Sequence, residues 1–99
     1  MAGPICQLYM GRATEAWYQL SEEEQNSLGA KVRDALEKVG GKTVIQCNTA
    51  WSSEQWHWFG IEEFPDIEAV QKLSEGHMEL DWYRYFEGVR MLGTKWEPS

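Results

Sequence analysis

Apolar and polar residues alternate along four short stretches of this chain and recur at helical spacing along two others. Residues 4–12 (PICQLYMGR) set Cys6, Leu8 and Met10 against Ile5, Gln7 and Tyr9, which predicts a strand ended by Gly11. Thr14 then caps a short turn containing Trp17 and Leu20. Ser21 and Glu24 have the spacing of a capping box, and Glu22, Glu23 and Glu24 fill a first helical turn, where the macrodipole favours negative charge. Leu28, Val32, Ala35, Leu36 and Val39 continue as one apolar stripe, Lys31, Arg33 and Lys38 lie toward the far end, and Gly40-Gly41 supplies the stop. Residues 42–50 alternate again, with Thr43, Ile45 and Cys47 opposed to Val44, Gln46 and Asn48. After a polar turn at Ser52, Ser53 and Glu54, residues 55–64 (QWHWFGIEEF) read as a third strand. Its alternation puts Trp56, Trp58 and Gly60 on one face and His57, Phe59 and Ile61 on the other. Pro65 breaks it, and Asp66 caps a second helix carrying Ile67, Val70 and Leu73. Gly76 is expected to interrupt that helix, leaving 77–84 as a further helical turn before a last strand at 85–92.

The order β-α-β-β-α-β is the split unit of the ferredoxin-like α+β fold: one four-stranded antiparallel sheet with two helices on one face, in a single domain over residues 1–99. With the helices on the more aliphatic side, the core takes Cys6, Leu8, Met10, Ile45, Cys47, Phe59, Ile61, Val89 and Met91. The open face then carries Gln7, Tyr9, Val44, Gln46, Asn48, Trp56, Trp58 and Arg90. Two tryptophans and a tyrosine make too large an apolar patch to stay wet, so an identical subunit is expected to cover it. Tyr9, Gln46, Asn48, Trp56, Trp58 and Arg90 are therefore the expected interface of a homodimer. A strand order of 4-1-3-2 would separate Cys6 from Cys47 by about 9–10 Å, so neither forms a disulfide with the other.

Composition narrows the functional classes. The 99 residues carry 16 acidic and 9 basic side chains, a net charge of −7, which disfavours nucleic acid and anionic membrane surfaces. No window approaches the roughly 20 apolar residues of a membrane span, and no secretory signal is evident. Two cysteines in apolar-alternating segments fit a reducing cytoplasm. Six tryptophans are heavy for this length. There is no His-x-His, Cys-x-x-Cys or Glu-x-x-His spacing for a metal, no phosphate-binding glycine loop and no nucleophile elbow.

The pattern resembles the dimeric α+β-barrel superfamily, in which two ferredoxin-like subunits pack sheet to sheet. AWYQLSEEEQ (16–25) is similar to the opening of darcynin-like and related uncharacterised small proteins, EEFPDIEAVQKL (62–73) to the start of their second helix, and DWYRYFEGVRMLG (81–93) to their ending. Gln25 stands where a basic residue is usual, and Arg84 where an acid is common. The resemblance implies a fold and a homodimer rather than a reaction. Superfamily enzymes keep their substrate cavity on the helix side. His57 is therefore a candidate general base, with Tyr85 a donor and His77 a second choice. Trp17, Phe59, Trp82 and Tyr83 are candidate walls for a small apolar or aromatic ligand. The plainer alternatives are a strand-end histidine bonded to backbone, an exposed His77 beside a helix-ending glycine, and aromatics that simply pack. Haem-degrading members use a His, an Asn and a Trp. Here Asn48 and Trp58 fall on the other face by alternation, so no cofactor is expected. Two functions follow: a small-molecule binding module, or a cofactor-independent monooxygenase or polyketide-cyclase-like enzyme.

Overall fold

The computed structural model describes residues 3–96. Eight elements follow one another: β1 (Ile5–Ala13), α1 (Glu15–Tyr18), α2 (Glu22–Lys38), β2 (Lys42–Asn48), β3 (Trp58–Phe64), α3 (Ile67–Glu79), α4 (Trp82–Tyr85) and β4 (Phe86–Gly93). Both long helices start where their caps require. Ser21 and Glu24 form the reciprocal capping box, with Oγ accepting from the Glu24 N–H at 3.1 Å and Glu24 Oε1 accepting from the Ser21 N–H at 3.0 Å. The Ser21 N–H first, and then the Ser21 hydroxyl, hold the Glu24 carboxyl below its ordinary range. The Asp66 side chain accepts from the Ala69 N–H at 2.9 Å. Gly40, at φ 80°, turns the chain out of α2 into β2.

Helix α3 does not stop at Gly76 but runs through it to Glu79. A Cβ at Gly76 would lie 3.8 Å from the Ala35 Cβ, so this glycine sits where α3 passes α2 and small residues bring the two helices together. An alanine would fit at that ordinary contact distance, so the helix runs on because burial of Ala69, Val70 and Leu73 outweighs the roughly 1 kcal/mol that glycine costs inside it.

The strands form one antiparallel sheet in the order β2-β3-β1-β4, the ferredoxin-like arrangement expected from the chain. Strand β3 lies between the strands bearing Cys6 and Cys47, and both thiols are free. What the alternation could not say was which face turns to the helices, and there the expectation is reversed. The apolar cluster under the helices consists of Phe64, Ala69, Val70 and Leu73, with Ile5, Ala35, Leu36 and Val39 packed against it. Phe64 and Ile5 are cross-strand partners on the covered side. Period two therefore places Gln7, Tyr9 and Gly11 of β1, and Trp58, Gly60 and Glu62 of β3, beneath the helices. Cys6, Leu8, Met10, Phe59 and Ile61 face away, with Ile45 and Cys47 of β2 and Val89 and Met91 of β4 beside them. The residues assigned to the core thus line the open face, where Leu8 is 40% and Met91 68% exposed. Burying the more aliphatic face beneath helices is a sound rule for a sheet with one covered face. It fails here because the covered side is filled by aromatic, glycine and polar residues.

The open face has its own order. Ile45, Ile61, Leu8 and Met91 form one aliphatic row across all four strands, and Cys47, Phe59, Met10 and Val89 form the next.

On the covered side two glycines make room for two rings. Tyr9 pairs with Gly60 and Trp58 with Gly11, each aromatic lying over the glycine of the adjacent strand. A Cβ at Gly60 would come within 2.5 Å of the Tyr9 Oη and 2.7 Å of the Ile45 carbonyl oxygen. Because the second of these is backbone, Gly60→Ala is expected to destabilise by about 1–3 kcal/mol in urea unfolding. Gly93→Ala, where a Cβ meets nothing within 4 Å, is expected to change stability by less than about 0.5 kcal/mol.

Candidate functional site

The covered side of the sheet changes character along the strands. At the Ile5–Phe64 end it is apolar; in the middle it is polar, and toward Ala13 it is aromatic. The polar middle starts at Gln7, which is 6% exposed and satisfied at both ends. Its amide nitrogen donates to Glu62 Oε1 at 2.9 Å, and its carbonyl oxygen accepts from an Arg90 nitrogen at 3.3 Å. Arg90 also donates to Ser74 Oγ of α3 at 3.2 Å, tying edge strand β4 to that helix. Burial raises the Glu62 carboxyl, with the Gln7 bond opposing the rise. Tyr9 is pushed up to about 12, by burial first and then by the neighbouring Glu62 and Cys47.

The aromatic end is continuous. Phe86 lies 5.0 Å from Trp17, 5.1 Å from Trp82 and 5.9 Å from Trp58, centroid to centroid. Beyond it, His77 stacks on Trp82 at 5.0 Å with the planes only 9° apart. Burial, and then the Arg90 charge, lower His77 to about 4, so the imidazole is neutral at physiological pH. The α1 turn that carries Trp17 is held on two sides. Thr14 bonds to the carbonyls of Arg84 and Tyr85, and Gln25 Nε2 donates to the Trp17 carbonyl at 3.1 Å.

Between α1 and the exposed end of β2 and β3 lies a cleft of about 540 Å³. Its walls are Trp17, Tyr18 and Trp58, and its polar groups come from Gln46, Asn48 and His57. This volume falls in the range of about 300–1,000 Å³ typical of small-molecule pockets. His57 is fixed at the strand end by its backbone, which donates to the Gly11 carbonyl and accepts from the Thr49 N–H. Its ring Nδ1 accepts from the Ala13 N–H at 3.4 Å. In the neutral imidazole that arrangement leaves the hydrogen on Nε2. A second groove, of about 480 Å³, runs between the start of α2 and the end of α3 and is lined by Leu20, Glu23, Glu24, Lys31, Leu80 and Tyr85.

These placements redistribute the candidate residues. His57 and Trp17 meet in the cleft, joined by Trp58, Gln46 and Asn48, three residues expected at the dimer interface. The division that set Asn48 and Trp58 apart from the helix side does not hold, because both line the cleft with His57. Tyr9 and Arg90, also expected at the interface, lie on the covered side. Trp56 is different: the Arg12 guanidinium stands 5.6 Å over its ring, and Arg12 follows Leu8 and Met10 on the open side. Phe59 belongs to the open face and so is no wall of the cleft. Tyr85 lines the second groove rather than the first, so the structure does not bring it to His57. Trp82 backs Phe86, and Tyr83, 54% exposed, meets only its edge at 5.2 Å. His77 is half-buried against Trp82 within α3 rather than exposed beside a helix end. The chain itself offers Gln7 only as a residue of the open face and Glu62 only as one of a carboxylate group with Glu63 and Asp66 around a strand end, and it does not single out Ser74. They are ordinary polar residues there, and only the three-element contact gives them significance.

Among the described residues no group of three His, Cys, Asp or Glu could hold a metal ion, and no helix is long and apolar enough to cross a membrane. A sequence-family model described as a family of unknown function (DUF6616) matches residues 5–99. No curated protein matches the chain in sequence. Among solved structures, a protein of unknown function from Rhodopseudomonas palustris is similar at a TM-score of 0.70 and 19% identity, over 99% of this chain and 86% of that one. A mutant of chlorite dismutase from Candidatus Nitrospira defluvii aligns at a TM-score of 0.77 and 13% identity, over 99% of this chain and 42% of the enzyme. The same dismutase in complex with imidazole aligns at 0.78 and 13%, over the same shares. This chain therefore spans less than half the length of chlorite dismutase, and at these identities the likeness is one of fold.

Proposed function

The chain belongs to the family of unknown function DUF6616, and from that premise we propose that it is a homodimeric ferredoxin-like protein that binds a small apolar or aromatic molecule in the cleft beside His57. The observation that carries this reading is the cleft itself, about 540 Å³ with two indoles on its walls and a few polar groups. Flat aromatic walls favour a planar ligand, and Gln46, Asn48 and His57 offer hydrogen bonds to one polar substituent. With Nδ1 engaged by the Ala13 N–H, His57 serves the cleft as an Nε2–H donor rather than as a base. This favours a binding role over proton abstraction. The two aliphatic rows on the open face support a second copy packed sheet to sheet.

The test is a titration of the protein with 2-naphthol, followed by tryptophan fluorescence. Saturable quenching with one site per subunit is expected. Trp17→Ala is expected to weaken it at least about tenfold, the loss of one good aromatic contact, while Trp96→Phe, at an almost wholly exposed position, leaves it unchanged. Quenching that does not saturate, or that survives Trp17→Ala at full affinity, overturns the assignment of the cleft.

A further inference from the structure

We propose that Arg90 is the anchor of a second site, on the covered side of β4, for the carboxylate of a small organic acid. The proposal is independent of the cleft beside His57. Gln46 in that cleft and Arg90 are three strands apart in the order β2-β3-β1-β4, about 14 Å by strand spacing.

Arg90 is an exposed cation of β4 that, among the described residues, bonds only to neutral groups. Among the described residues the ion pairs are Arg12–Glu87, Arg84–Asp81 and Lys95–Glu63, and Arg90 is in none of them, although the chain carries 16 acidic residues. Its two bonds go to neutral oxygens, Gln7 Oε1 and Ser74 Oγ, and both are made by the same terminal nitrogen. Among the described residues nothing bonds to the edge formed by Nε and the other terminal nitrogen, and that edge matches a carboxylate with two parallel hydrogen bonds.

The supports of that nitrogen are themselves tied. Gln7 is buried, and its amide is oriented by the bond to Glu62. The Ser74 hydroxyl spends its hydrogen on the Val70 carbonyl at 3.2 Å, so only its oxygen can face the guanidinium. Three elements thus set the position of one planar cation before any ligand arrives, the preorganisation that a recognition site needs. One turn beyond Ser74, His77 is stacked against Trp82, near enough for the Arg90 charge to add to burial in lowering it. Glu62 lies just beyond Gln7, and its negative charge favours a singly charged carboxylate over a phosphate dianion.

The experiment follows the Arg90 Nε–H and the Trp82 indole N–H by 1H–15N NMR. The intact protein is titrated with sodium acetate, sodium phosphate or sodium chloride at constant ionic strength. Acetate is expected to shift both signals to saturation, phosphate more weakly, and chloride without saturation. Arg90→Lys keeps the charge but loses the fork, and is expected to weaken acetate about tenfold or more, read at Trp82. Ser74→Ala, which frees one support while leaving the guanidinium, is expected to weaken it less. Shifts that never saturate with acetate, or that match those with chloride, overturn the site. Tighter saturation by phosphate than by acetate overturns the carboxylate assignment, and full acetate affinity in Arg90→Lys overturns the role of the fork. Because the wild-type titration reads Arg90 directly, the proposal can fail even where a variant does not fold.

Discussion

With Leu8 replaced by Asp, the protein is expected to run as a monomer at micromolar concentration where the parent runs as a dimer, read by native mass spectrometry or light scattering after gel filtration. Leu8 stands on β1, one of the two central strands, between Ile61 on one side and Met91 on the other. A second sheet laid on these rows would bury the new carboxylate among aliphatic side chains with nothing to pair it. That costs several kcal/mol for each of the two symmetry-related copies. In the monomer the same side chain remains in water, so the fold itself is expected to survive with an unchanged circular dichroism spectrum. Trp58→Asp makes the contrast. Trp58 lies on the covered side over Gly11, so this change is expected to leave the dimer intact while disturbing the cleft. A parent that is monomeric at micromolar concentration, or a Leu8→Asp protein that stays dimeric, would falsify sheet-to-sheet packing.

Phe64→Ala is expected to be the most damaging single truncation. Phe64 is 1% exposed and is the largest wholly buried side chain. It touches the cluster in which α3, the end of α2 and the start of β1 meet. Removing a buried phenyl ring costs about 3–5 kcal/mol, against a total stability of about 5–15 kcal/mol for an ordinary domain. At about 4–8 °C per kcal/mol for a chain of this length, the melting temperature should fall by more than about 12 °C. The comparison needs equal protein concentrations, since association adds to stability by mass action. A loss below about 1 kcal/mol would show that the cluster is not the centre of the fold.

The elements and their order were legible because each rests on local physics. The Ser21–Glu24 box, the Asp66 cap and the Gly40-Gly41 stop are short-range devices, and strand alternation is a property of the backbone. The strand order followed, and with it the separation of Cys6 from Cys47. Alternation says which side chains share a face, but it cannot say which face is covered. Choosing the aliphatic set for the helices reversed the sheet and put Tyr9, Gln46, Asn48, Trp58 and Arg90 at an interface, whereas they lie on the helix-bearing side, with Gln46, Asn48 and Arg90 exposed there. A signal was available in the chain. Gly11 and Gly60 each sit directly opposite a large ring, and such gaps are needed where rings must lie flat beneath a second layer. Gly76 misled in the other direction, since α3 is set by its Asp66 cap and its buried stripe, which together outweigh the local propensity of one glycine. The Gln7–Arg90–Ser74 junction had no sequence signal, because residues 7, 74 and 90 come together only through the sheet and the crossing of α3.

The exchange of rings for glycines between β1 and β3 carries a consequence for how such chains diverge. Tyr9 with Gly60, and Trp58 with Gly11, are two reciprocal steric bargains struck across one strand pair. Gly11 cannot enlarge until the Trp58 ring above it has shrunk, whereas at Gly60 the Ile45 carbonyl bars a Cβ whatever stands at position 9. Across descendants of this chain, position 60 would stay glycine while position 9 varies, and position 11 would gain a side chain only where position 58 has already become smaller.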